Sequence, residues 1–112
     1  MKYKYLVWNG REMVSPDYID RQGYAHWKED SIQCQSQKIV QFTGRKDKKG
    51  QEIYEGDIIS KKGAFVVWSN DLACWCFTFK GDHDPTPLFY GDTFMKARII
   101  GNIYANRELL KP

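Results

Sequence analysis

The sequence predicts a mainly β protein, folded as a small barrel or a strongly bent sheet, and three features lead to that expectation. About six or seven short runs rich in aromatic and β-branched residues follow one another at close spacing, as in all-β domains. Aromatic residues make up 15% of the chain, with seven Tyr and four Trp, side chains that favour half-buried pleated surfaces over helices. Residues 41–59 read in order as strand end, charged turn, short bridge and strand start. Within them Gly44, Gly50 and Gly56 fall where a reversing chain needs positive φ, and Asp47 and Asp57 stand where a carboxylate can bond turn amides.

Residues 3–8 alternate apolar residues with Lys until Asn9-Gly10, a strong hairpin signal, so residues 11–14 are expected to return antiparallel. Ser15-Pro16-Asp17 resembles a helix start that Gly23 cuts short, which predicts a short helix or an irregular loop. Residues 24–37 have little periodicity. Residues 39–42 form a short strand, and residues 57–60 begin another that reverses at Lys61-Lys62-Gly63 into residues 64–68 as a second hairpin. Residues 72–79 are the longest apolar run, with Trp75, Phe77 and Phe79 on one face and Cys74, Cys76 and Thr78 on the other, a small-residue face that can meet another layer or water. Further strand material follows in residues 88–90 and 94–104, and residues 106–110 can make one helical turn capped by Asn106.

At 112 residues the chain suits one domain, 1–112, with one modest core. The net charge of +3, from 17 Lys and Arg against 14 Asp and Glu, falls short of a dedicated nucleic-acid binder. Three cysteines, an odd count, suit free thiols in a reducing compartment, so a cytoplasmic protein is expected. No run is long enough for a signal peptide or a membrane span.

The motifs Gln41-Phe-Thr-Gly44, Lys46-Asp-Lys-Lys-Gly50, Glu52-Ile-Tyr-Glu-Gly-Asp-Ile58 and Ile100-Gly-Asn-Ile-Tyr104 with Glu108-Leu-Leu110 resemble the YopX family of phage and prophage proteins. Residues 18–38 and 69–93 carry none of these motifs. The resemblance implies a mainly β protein whose second half, residues 41–112, is an SH3-like barrel on which an N-terminal extension, residues 1–40, packs; the hairpin and short helix expected from the residues themselves would make up that extension. It implies no known activity, and its motif residues, Gly44, Gly50, Gly56, Asp57 and Gly101 among them, are structural. This sequence departs from the family's pattern in carrying Arg107 where a proline commonly follows the Asn.

Cys74-x-Cys76 with His83 and Asp82 or Asp84 can be drawn as a zinc site, but a lone C-x-C on a strand needs two more converging ligands, and the spacing matches no finger pattern. Free thiols are the simpler reading, and no metal or other cofactor is expected. A catalytic cysteine would need His26 or His83 as its base, and neither is tied to a thiol by sequence. The carboxylates Asp82, Asp84, Glu52, Glu55 and Asp57 are enough to imagine a hydrolase, yet turn-fixing and solvated roles account for them. No enzyme is therefore expected, and no small-molecule substrate.

The functional lead is a set of basic turn tips, Arg45, Lys46, Lys48, Lys49, Lys61 and Lys62, with Tyr54, Trp68 and Trp75 as stacking surfaces. Against nucleic-acid contact, Asp47, Glu52, Glu55 and Asp57 lie among those lysines and would repel phosphate. Of Trp8, Trp27, Trp68 and Trp75, most are expected in the core, with one exposed as a contact point. The resulting expectation is a non-enzymatic module that binds protein, either itself or a host or phage factor, through barrel edges and loops. The alternative is a nucleic-acid-binding barrel using the basic tips and an aromatic face.

Overall fold

The computed structural model describes residues 4–27, 30–34, 38–88 and 98–110, and the chain is mainly β. It divides into two compact units, Met1–Phe42 and Thr43–Pro112. The expected strand material at 89–90 and 94–97 lies outside the described residues.

In the first unit β1 (Tyr5–Trp8) pairs with β2 (Met13–Val14), Val7 opposite Val14 and Trp8 opposite Met13. The hairpin expected at Asn9-Gly10 is therefore present, with residues 9–12 as its loop. Asn9 shapes that loop by accepting the N–H groups of Arg11 and Glu12 at 2.8 and 2.9 Å. The other edge of β1 pairs with the start of the later strand Ile39–Lys46, Val7 opposite Ile39, and this leaves Val7 and Val40 buried.

After Ser15, where the sequence predicts a short helix or an irregular loop, there is no helix, and residues 18–19 form a strand instead. β3 (Tyr18–Ile19) pairs with β4 (Ala25–Trp27), which in turn pairs with β5 (Asp30–Cys34). The reason is local. Asp20 Oδ1 accepts the N–H groups of Gln22 and Tyr24, both at 2.9 Å, and the Asp20 N–H donates to the Tyr24 carbonyl, so the chain reverses before a helical turn can form. The ladder extends backward, the Asp17 N–H donating to the His26 carbonyl at 2.9 Å.

In the second unit the latter part of β6 (Ile39–Lys46) runs beside β7 (Glu52–Tyr54), and the Thr43 hydroxyl donates to the Ile53 carbonyl at 2.8 Å. A separate five-stranded antiparallel sheet is ordered β11-β10-β9-β8-β12, from β8 (Asp57–Ile58), β9 (Phe65–Ser69), β10 (Cys74–Thr78), β11 (Thr86–Pro87) and β12 (Gly101–Asn102). The expected second hairpin is its β8–β9 pair, turned by residues 60–63 with the Gly63 N–H on the Ser60 carbonyl at 3.0 Å.

The core of this unit is Ile53, Ile59, Ala64, Val66 and Leu88, with Trp75, Phe77, Phe79 and Ile99 packed against it. The aromatic face of β10 thus points inward. On the opposite face Cys76 and Thr78 are buried as well, and Cys74 is half-buried. After β12, residues 107–109 form a short 3-10 turn. Asn106 precedes it without capping it: its Oδ1 turns back to accept the Asn102 N–H at 3.2 Å.

Candidate functional site

Residues 41–59 serve as a clamp. Asp47 is buried in the β6–β7 turn, where Oδ1 accepts the N–H groups of Lys49 and Gln51 at 2.9 Å and Oδ2 accepts that of Ile99 at 3.0 Å, fifty-two residues away. Burial pushes its pKa up, but the three amide donors and the nearby Arg98 charge outweigh it and hold the carboxyl below its ordinary value. Asp57 accepts the Tyr54 N–H at 2.8 Å. Burial, against that one hydrogen bond and with Asp47 as a like charge close by, pushes the Asp57 carboxyl up to about 7.

Gly56 between them has φ +87°, and a Cβ there would lie 3.3 Å from Ile103 Cγ1. Its N–H donates to the Val66 carbonyl and its carbonyl accepts from Ile103, so this glycine knits β9 to the C-terminal segment. Gly101 is needed for a close approach, since a Cβ there would stand 2.5 Å from Asn106 Oδ1. Gly44 and Gly50 have φ of +86° and +85° with open space around them.

The basic residues singled out by sequence, Arg45, Lys46, Lys48, Lys49, Lys61 and Lys62, are all exposed. The Asp47–Ile99 bond carries the Lys48–Lys49 turn to the start of the chain that becomes β12, and β12 lies beside β8, whose far end leads into Lys61 and Lys62. Two further exposed cations reach the same end. Arg98 precedes Ile99, and Lys80 follows β10, whose Thr78 is opposite Phe65 at the start of β9. Sequence reading missed both, because the register that delivers them is a tertiary fact; the alternation of the 72–79 run was the available signal.

Trp68 lies elsewhere. It stands three residues along β9 from Phe65, about 10 Å from the basic end. There it is 46% exposed, edge-on to Trp75 at 5.3 Å, with its Nε1–H donating to Asn70 Oδ1 at 2.9 Å. Leu72, 49% exposed, follows in the β9–β10 turn, where Ala73 has φ +53°. Tyr54 is half-buried at the end of β7. The structure therefore brings the lysines of two turns together and sets Trp68 apart from them.

Both edges of the five-stranded sheet are obstructed. β11 ends in Pro87, which has no N–H, and at β12 the Asn102 N–H and carbonyl are both taken by Asn106. Cys74 and Cys76 hold their Sγ atoms 3.8 Å apart as free thiols, and burial pushes the Cys76 thiol up to about 11. His83 is exposed, and beside it Asp82 accepts the Asp84 N–H at 3.0 Å as a turn residue. His26 Nε2 meets Asp20 Oδ2 at 2.7 Å beneath a parallel Tyr18 ring. Among the described residues no group of three or more His, Cys, Asp or Glu side chains could hold a metal ion, and no helix is long and apolar enough to cross a membrane.

The motif residues whose contacts are given above fall within a family model described as YopX protein, which matches residues 4–111. The chain belongs to the YopX family. A search of curated proteins finds no match. The family match includes residues 18–38 and 69–93, so the β3–β5 sheet and the Trp68–Leu72 turn region belong to the YopX domain as much as the Asp47 clamp does.

Proposed function

We propose that this YopX family member is a non-enzymatic accessory protein of phage or prophage type, working in the bacterial cytoplasm by binding another protein, with its second unit built as an SH3-like barrel. The observation that carries this reading is the Trp68–Leu72 surface. A tryptophan half in water leaves a large apolar area unburied, and its ring is held in one orientation by Trp75 and Asn70, so little side-chain freedom is lost when a partner covers it. Aromatic anchors of this kind dominate interface energetics. The obstructed edges of the five-stranded sheet argue for contact through this face rather than by added strands.

The test is light scattering coupled to size exclusion, together with capture of proteins from the bacterial host, for the native chain and for Trp68→Ala/Leu72→Ala. The expected result is a defined assembly, with itself or with one host protein, that the double substitution abolishes. An assembly that survives it would place the contact elsewhere.

A further inference from the structure

The cations that converge on one end of the second unit have no part in the Trp68 contact. We propose that this end, carrying Lys48, Lys49, Lys61, Lys62, Lys80 and Arg98, binds the phosphate backbone of double-stranded nucleic acid without reading its sequence. The inference goes beyond the protein contact at Trp68 and stands on a different surface.

All six side chains are exposed. Lys80 at the end of β10, Lys61 and Lys62 between β8 and β9, and Arg98 ahead of β12 lie along the ends of four adjacent strands, which at about 4.8 Å per strand is a row about 14 Å wide. Over that length a duplex carries about eight phosphate charges. The Asp47–Ile99 hydrogen bond fixes the backbone of the Lys48–Lys49 turn against the Arg98 end of this row, so the fold sets where these two side chains start from.

Of the four carboxylates that the sequence sets among the lysines, Asp47 and Asp57 are engaged by backbone amides, while Glu52 and Glu55 are half-buried and lower the positive field. Asp47 is buried with both oxygens on backbone amides, and Asp57 is turned inward onto Tyr54. Asp82 and Asp84 are exposed near Lys80 and reduce the positive field without cancelling it. A single strand would need aromatic platforms for its bases, and Trp68 with Trp75 lies along the sheet from this end; phosphate contact alone favours the duplex, whose charge density is higher.

The test is fluorescence anisotropy with a labelled short duplex and a single strand of equal length, at salt concentrations between about 50 and 200 mM. With about five phosphates neutralised, the logarithm of the duplex affinity should fall against the logarithm of salt with a slope of about −4 to −5. Lys61→Ala/Lys62→Ala/Lys80→Ala should lower the size of that slope by about 2 to 3. Trp68→Ala should leave it unchanged, as should removal of three exposed cations of the first unit, Arg11, Arg21 and Lys38. Circular dichroism establishes that each variant is folded. No duplex binding at the lowest salt, a preference for the single strand, an unchanged slope in the triple-lysine variant, or an equal loss from the first-unit variant would each overturn the proposal.

Discussion

At Asp57 a carboxyl is held by burial with one backbone hydrogen bond, and its proton is retained up to about pH 7, against a model-peptide value of 3.8. Because the folded state binds this proton more tightly than the unfolded chain does, stability from this residue is full below pH 3.8 and declines as the pH rises toward 7, by up to about 4 kcal/mol. Asp47 works in the opposite direction. Its folded pKa is depressed, so its contribution is present above 3.8 and is lost as the pH falls through the lower folded value. The contribution of these two carboxyls taken together is therefore greater on the acid side of neutral than at neutral pH. Asp57→Asn keeps an oxygen for the Tyr54 N–H and removes the charge, so urea unfolding at about pH 5 and about pH 8 should give nearly equal midpoints for the variant and a lower midpoint at the higher pH for the native chain. If the variant declined as steeply as the native chain, another group would be responsible.

Two elements carry strain or close approach that the sequence does not announce. The β9–β10 turn holds Ala73 at φ +53°, a left-handed conformation that costs a residue with a Cβ about 1 kcal/mol. Ala73→Gly, at an exposed position with no packing to lose, should therefore raise stability by about 0.5 kcal/mol after the added flexibility of the unfolded chain is subtracted. A fall in the thermal midpoint would mean that the alanine methyl makes a contact of value. The C-terminal hook is the second case. Asn102 Oδ1 accepts the N–H groups of Tyr104 and Ala105, and Asn106 Oδ1 returns to Asn102, so Gly101 lies directly beneath the Asn106 side chain. Gly101→Ala should cost about 1 to 3 kcal/mol, and combined with Asn106→Ala the two losses should sum to less than their separate values, because the first acts by displacing the second. Strict additivity in a double-mutant cycle would show that the methyl strains the backbone instead.

Across the molecule, what could be read from the sequence is what local chemistry decides. Asn9-Gly10, the Gly63 reversal and the amide-binding roles of Asp47 and Asp57 were legible because the side chain and its backbone partner lie within a few residues of each other. The β3–β5 sheet was not, since Pro16 and Ser15 imitate a helix start and the strands are two to five residues long, below the length at which a period can be counted. Register was also out of reach, and it is register that separates Trp68 from Lys61 and adds Lys80 and Arg98 to the basic end. This separation has a consequence for the assembled protein. If the partner covers Trp68 and Leu72 while phosphate meets the ends of β8, β9, β10 and β12, the two contacts do not compete for the same residues. Adding a short duplex to the protein assembly in light scattering should then raise its mass by that of the bound duplex, with no smaller species released. Release of free chains on adding duplex would mean that both partners need one surface, and would return Trp68 to the nucleic-acid contact from which the register of β9 and β10 removes it.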